Sequence, residues 1–303
     1  MPATSAFNSE AGGIWTLRDA ERFKRAGTWP IGPPGGVGAG LQLWLDAADA
    51  STLYDATTGG SLVAADGGVA RWEDKSGNGR HATQGTSADR PARKTAIQGG
   101  KDVLRFDGSN DFLSIPSSTA TFNFLHDGDS TVFAVYKWTA PASGANRRYL
   151  FSNHVNDDSI GGTTGSALHL RNDFGDALPY SKVQFLASNN GATRTNSYTS
   201  DNSYPVDAFH VLTVQLDHAN ATNASRAVFR KSGTVQSDVA EGQNASLPTG
   251  NATYDLHLCT QAGPTNRLFA QCDLCEIIMY DSALSDANRE LVESYLLAKW
   301  GIT

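Results

Sequence analysis

The chain has 303 residues, 40% of them hydrophobic and 18% charged, with 30 glycines and 13 phenylalanines. That is core material for one large all-β domain or two ordinary ones, and it excludes disorder of the whole chain. A net charge of −7 without a concentrated basic stripe excludes a nucleic acid as partner, because phosphate-backbone binding needs a basic face that releases counterions.

No run of roughly 18 or more apolar residues is present to cross a membrane, and the opening MPATSAFNSE does not read as a secretion signal. Residues 1–31 read differently from the rest. Within them TLRDAERFKRAG predicts one short helix, with Thr16 as cap, Asp19 three residues on, and Gly27 as terminator. Leu17, Ala20 and Phe23 give it a narrow apolar stripe, and Arg18, Arg22, Lys24 and Arg25 make it locally basic. So small a segment buries too little surface to be stable alone, so it needs a partner surface, its own domain or another protein. IGPPGGVGAG follows and reads as a Pro/Gly linker or irregular spacer, assigned to residues 32–40; no strand precedes its glycines and no P-loop lysine follows, so it is not a phosphate loop.

From Leu41 onward short strand-like runs are divided by Gly, Asn, Asp and Ser, beginning with LQLWLD and ending with LCEIIMYD. Val183, Phe185 and Ala187 alternate against Lys182 and Gln184, and Leu212, Val214 and Leu216 against Thr213, Gln215 and Asp217. Half-buried strands of this kind predict an all-β, two-layer antiparallel sandwich, a jelly roll, since a parallel sheet would need a helix after each strand. The polar stretch ASNNGATRTNSYTSDNSYPVD reads as loop. A C-terminal helix is predicted after Ser285, its cap, with Leu291, Val292, Tyr295, Leu296 and Trp300 at helical spacing, closing the domain.

LQLWLDAADASTLYD, then VARWEDKSGNGRHATQ with an Arg-Pro and GGKDVLRFDGSNDFLSI, and finally CEIIMYDSALSDANRELVESYLLAKWGI together resemble the laminin G-like, concanavalin A-like domains of bacterial and phage surface proteins. The resemblance spans residues 41–303. It implies a sandwich used for binding or adhesion, often to carbohydrate and sometimes with structural calcium. Separately, GGIWTLRDAERFKRAGTWP at 12–30 resembles a short segment of phage and cyanophage virion structural proteins, carried here by Trp15, Leu17, Arg18, Trp29 and Pro30. With Phe23 these are the expected assembly contacts. The organisation expected is an attachment segment (1–31), a linker (32–40) and a sandwich (41–303); an extra strand and helix docked on the sandwich is the other way to use the first segment.

Laminarinase-type glycosidases carry a Glu-x-Asp-x-(x)-Glu strand. The nearest string here runs from Gln271 through Asp273 to Glu276, and an amide at Gln271 cannot act as the nucleophile; the laminin G-like resemblance implies that this stretch is the last core strand, with Glu276 leading into IIMYD. There is no GxSxG elbow or HExxH helix, and the seven histidines do not cluster. His169, His210 and His257 are expected in hydrogen-bonded structural roles. Cys259, Cys272 and Cys275 are read as structural thiols, with Cys272 and Cys275 on opposite faces of one strand.

Two loops hold hard oxygen ligands: Asp74, Ser76 and Asn78 beside Gly79, and Asp107, Ser109, Asn110 and Asp111. Calcium and tight-turn chemistry both suit them, with turns favoured because neither follows the EF-hand spacing. No catalytic, cofactor or metal residue is assigned, and structural calcium stays open. Trp72, Trp138, Tyr180 and Tyr204 are the aromatic platforms available for sugar, most of them core by alternation. The functional expectation is a non-enzymatic virion component, a fibre or decoration subunit made in the host cytoplasm. It would bind other virion proteins through its N-terminal segment, contact a host-surface glycan, and assemble as identical copies. The alternatives are a purely structural head or tail protein and a carbohydrate-active enzyme.

Overall fold

A computed structural model describes residues 32–139, 147–155, 163–171, 180–189, 193–200, 203–218, 220, 226–241, 248–263 and 268–303. The expected assembly contacts at Trp15, Leu17, Arg18, Phe23, Trp29 and Pro30 lie outside the described residues. Among the described residues two antiparallel sheets form. The first contains β1 (Leu41–Asp46), β5 (Ala92–Gln98), β6 (Lys101–Asp107), β8 (Ser130–Trp138), β14 (Phe209–Leu216), β15 (Ala227–Lys231), β16 (Thr234–Val235) and β19 (Gln271–Tyr280). Their order is β16-β15-β14-β8-β19-β6-β5, with β1 also paired to β19.

The second sheet runs from β17 (Asp238–Glu241) through β12 (Thr193–Thr199), β11 (Tyr180–Asn189), β10 (Thr164–Arg171) and β9 (Arg147–Ser152) to β18 (Leu256–Leu258). It continues through β7 (Leu113–Ile115), β4 (Ala82–Thr83) and β3 (Arg71–Trp72) to β2 (Leu53–Tyr54), and β13 (Tyr204–Pro205) pairs with β11. This is the expected concanavalin A-like antiparallel β-sandwich with a C-terminal helix.

The two inner faces share one core. Val132, Ala134, Tyr136 and Trp138 of β8 and Leu212, Val214 and Leu216 of β14 meet Leu168, Leu170, Val183, Phe185 and Ala187 of the other sheet. The period of two read from the sequence is thus the inside–outside alternation of the sandwich. The outer face of the first sheet is apolar too, because a helix covers it: Trp44, Phe133, Val135, Val211 and Ile278 pack with Val292, Leu296 and Trp300.

That helix, α2 (Asp286–Trp300), follows the short α1 (Phe124–Asp127) in the chain. Ser285 caps it by accepting from the Asn288 N–H, and Gly301 ends it in the left-handed region at φ 62°. Leu291, expected on the packed stripe, is 52% exposed, because the stripe runs through 292, 296 and 300 and Leu291 sits about 100° round the helix from Val292.

Two further differences from the sequence expectations have local causes. The polar stretch after 188 contains strand β12, in which Ser197 and Thr199 are fully buried and the Thr199 hydroxyl accepts from the Val183 N–H. Its polar side chains hide the strand signal. The Pro/Gly stretch is packed rather than free: Pro34–Gly36 form a 3-10 turn, Val37 joins the core beneath α2, and Tyr280 Oη donates to the Val37 carbonyl at 2.9 Å. Gly35 there has φ +60°, and a Cβ would fall 2.6 Å from the Leu291 carbonyl carbon and oxygen of α2. Gly35→Ala is therefore expected to cost about 2 kcal/mol or more, from left-handed strain of about 1–2 kcal/mol plus a backbone clash. A denaturation midpoint unchanged from wild type would contradict that contact.

Candidate functional site

Glu276, the carboxylate nearest to a glycosidase motif, is packed out of reach. A bulge in β19 between Leu274 and Glu276 shifts the register against β8, so Cys275 and Glu276 both face α2. The carboxylate there accepts from Trp44 Nε1 (2.7 Å), Tyr295 Oη (3.1 Å), Lys299 Nζ (2.7 Å) and Trp300 Nε1 (2.7 Å). Glu276 is 0% exposed. Lys299 also meets Asp46 at 2.6 Å, and Asp46 meets Lys75 at 2.8 Å. Burial, then the nearby Asp46, pushes the Glu276 carboxyl above its ordinary range, and Lys299 opposes them. These bonds explain why Leu-Trp-Leu-Asp at one end of the domain accompanies Glu276 and Tyr-Leu-Leu-Ala-Lys-Trp at the other: they close the domain on itself.

The two Asp-rich loops are built by turn chemistry. Asp74 Oδ1 accepts from the Trp44 and Ser76 N–H groups at 3.0 and 2.9 Å, and Oδ2 from Ser76 Oγ and the Arg80 N–H at 2.7 and 3.0 Å. Asp107 Oδ1 accepts from Ser109 and Asn110 N–H groups at 2.8 and 3.2 Å, and Asp111 Oδ2 accepts from the Asp107 N–H at 3.0 Å. Burial raises the Asp111 carboxyl to about 6. Among the described residues no three His, Cys, Asp or Glu side chains gather as a metal shell.

The aromatic platforms are spent on the core. Trp72, Trp138 and Tyr204 are buried, and the side chain of Tyr180 lies outside the described residues. The three strand histidines are hydrogen-bonded: His169 Nδ1 to Gln184 Oε1 (3.1 Å), His210 Nε2 to the Pro205 carbonyl (2.8 Å) and His257 Nδ1 to the Asp255 carbonyl (2.8 Å). Cys272 lies in the inter-sheet core and Cys275 beneath α2, on opposite faces as expected. The sequence did not indicate that Cys259, at φ 60°, brings its sulfur to 3.3 Å from that of Cys272.

An accessible cavity of 380 Å³ opens beside β3, β4 and the end of β7. Arg71, Asn78, Arg80 and His81 line one side, and Ser117 and Thr121 come from the turn that follows β7. Asp255 shapes that turn by accepting from the Ser117 and Ser118 N–H groups at 3.1 and 2.6 Å, which holds Ser117 at φ 56°. Asn78 Nδ2 donates to the Leu41 and Gln42 carbonyls at 3.1 and 3.2 Å, leaving its oxygen as acceptor. Arg71 is engaged: it bonds Glu73 at 3.2 Å and lies 4.2 Å from the centre of the Tyr54 ring. Arg80 Nη1 donates to Gln42 Oε1 at 2.6 Å, and its guanidinium sits 5.5 Å over the Phe122 ring. Burial lowers the Arg80 pKa against the pull of Asp74 and Asp281, and the group stays cationic. His81 Nδ1 accepts from the Asp74 N–H at 3.0 Å, so its neutral ring carries the proton on Nε2. The sequence pointed to this loop through Asp74 and Asn78 and passed over Arg80 and His81.

No protein-family model matches the sequence, and no curated protein matches it. Solved structures do share its fold. The Botulinum neurotoxin serotype D binding domain aligns with 88% of this chain and 55% of its own, at 11% identity and a TM-score of 0.53. A mutant of Trypanosoma rangeli sialidase displaying trans-sialidase activity aligns with 93% of this chain and 36% of its own, at 12% identity and a TM-score of 0.50. The chain therefore spans just over half of the one and about a third of the other. At such identities the likeness is one of fold, an antiparallel β-sandwich.

Proposed function

We propose that the protein is a non-enzymatic surface component of a bacteriophage virion, a fibre or decoration subunit that displays its sandwich for contact with a glycan. The observation that carries the binding half is the open polar cavity at Asn78, Arg80 and His81, set against a Glu276 carboxylate that packing has consumed. Hydroxyl, amide and charged donors converging on an open cavity suit a polyhydroxylated ligand. One protein of the same fold is the Botulinum neurotoxin serotype D binding domain, which is in keeping with a sandwich that binds. The virion half rests on the Trp15 to Pro30 segment and its resemblance to phage structural proteins. That segment joins other virion proteins, and the subunit assembles as identical copies in the host cytoplasm.

The test uses the full chain carrying Trp15→Ala and Trp29→Ala. The double variant is expected to keep the wild-type melting temperature and to be lost from purified particles. Normal incorporation overturns the attachment role. Turnover of a host polysaccharide by the wild-type chain, read as new reducing ends, overturns the non-enzymatic assignment.

A further inference from the structure

The cavity wall has a charge opposite to that of the molecule. The chain carries a net charge of −7, yet no Asp or Glu lines the cavity, while Arg71, Arg80 and His81 do. Arg71 is held by Glu73 and by the Ala56 carbonyl at 3.3 Å, so it contributes field rather than free donors. Arg80 differs. Its Nη1 is bonded to Gln42, whereas Nε and Nη2 carry no hydrogen bond among the described residues, and the guanidinium lies 5.5 Å over the Phe122 ring. His81 adds an Nε2–H that is likewise open, its tautomer set by the Asp74 N–H. Both consecutive side chains line one cavity because they precede β4 and follow Gly79 at φ +69°, where strand alternation does not apply. A planar guanidinium with two open N–H groups matches a planar carboxylate.

The rest of the wall suits a sugar ring. Ser117 and Thr121 supply hydroxyls, the Asn78 oxygen supplies an acceptor, and Ile115 and Pro116 supply apolar surface. A volume of 380 Å³ is at the small end of ligand cavities and suits one or two sugar rings. No Trp, Tyr or Phe lines it, so a neutral sugar would find no stacking platform and a charged group must provide the anchor. The missing wall carboxylates equally argue against a cation as occupant.

We propose that this cavity binds the carboxylate of an acidic sugar, a hexuronic acid unit, with Arg80 and His81 as its donors. The assignment rests on the glycan-contact reading above and narrows it to a ligand class. It is tested on the full chain by calorimetric titration with digalacturonate, its methyl ester, lactose and sodium sulfate, alongside a broad glycan array. Two variants accompany wild type. Arg80→Gln removes the guanidinium, and His81→Asn keeps an acceptor for the Asp74 N–H while deleting the Nε2 donor. Digalacturonate is expected to bind saturably, its methyl ester at least about 10-fold more weakly. Each variant should weaken digalacturonate about 10-fold or more, the scale of one charge-assisted hydrogen bond, with the melting temperature unchanged. Should a variant melt early, the methyl ester comparison on the wild-type chain decides alone.

Equal binding of ester and acid, or binding of lactose that Arg80→Gln leaves intact, overturns the carboxylate assignment and leaves glycan contact standing. Sulfate binding without digalacturonate binding overturns the sugar assignment, since an anion alone then suffices. Silence toward every probe and across the array overturns both this assignment and the glycan-contact reading.

Discussion

Glu276→Ala is expected to destabilise the fold by about 3–5 kcal/mol, the cost of removing one member of a buried charged network. The substitution strands Trp44 Nε1 and Trp300 Nε1, both now bonded to this carboxylate at 2.7 Å, in an apolar layer. It also leaves Lys299 with Asp46 as its remaining carboxylate partner. Glu276→Gln, which keeps the volume and two acceptor lone pairs, is expected to cost less than alanine. Urea denaturation of the three proteins checks the ranking, and a loss below about 1 kcal/mol for alanine would show that the carboxylate does not hold the helix. Any activity lost in Glu276→Ala would follow from a loosened α2, so this substitution does not test catalysis.

Acidification from pH 7 to pH 4 is expected to remove about 3 kcal/mol of stability through two buried neutral imidazoles. Burial, then His126, lowers His154 to about 4; burial, then Arg226 and His126, lowers His218 to about 4. His154 Nδ1 and both ring nitrogens of His218 are buried without a partner, so neither ring has a bond that would stabilise an added proton there. In the unfolded chain both titrate near the ordinary value of about 6.5. The unfolded state therefore takes up protons first. The contribution is present in full above pH 6.5 and is lost progressively as the pH falls to about 4, at roughly 3 kcal/mol for each residue. Asp111 works in the opposite direction: with its carboxyl raised to about 6, the folded state gains its proton first, which returns roughly 3 kcal/mol over nearly the same range. His126 and His210, also lowered by burial, act with these two imidazoles, and Glu276, raised by burial, acts with Asp111, so the losses outnumber the gains and leave the net fall. Urea midpoints at pH 7, 5.5 and 4 measure it; His218→Gln should flatten the profile, and a flat wild-type profile would contradict the burial of the two rings as neutral species.

Much of the fold was legible along the chain. Alternation at 182–187 and 212–217 requires a half-buried strand whatever the partner, since a period of two puts every second side chain on one face. The same is true of Ser285, Gly301 and the apolar positions between them, whose helical spacing needs no knowledge of what the helix covers. Glu276 was placed on the last core strand by the resemblance to laminin G-like domains, in which this stretch leads into Ile-Ile-Met-Tyr.

What Glu276 does was not legible, because a one-residue bulge decides which layer it enters and its donors lie on strands and a helix up to 232 residues away. The cavity was hidden for the same reason. Arg80 and His81 look like ordinary loop residues until β4 and β7 bring them to Ser117 and Thr121, and strand β12 was masked by polar side chains such as Thr199, whose partner is the Val183 N–H on β11. Local sequence determined periodicity, caps and turns, which depend on a residue and its near neighbours. Only the tertiary structure decided which polar groups are consumed in packing and which stay open to a ligand, because hydrogen-bond satisfaction is settled by groups distant in the chain.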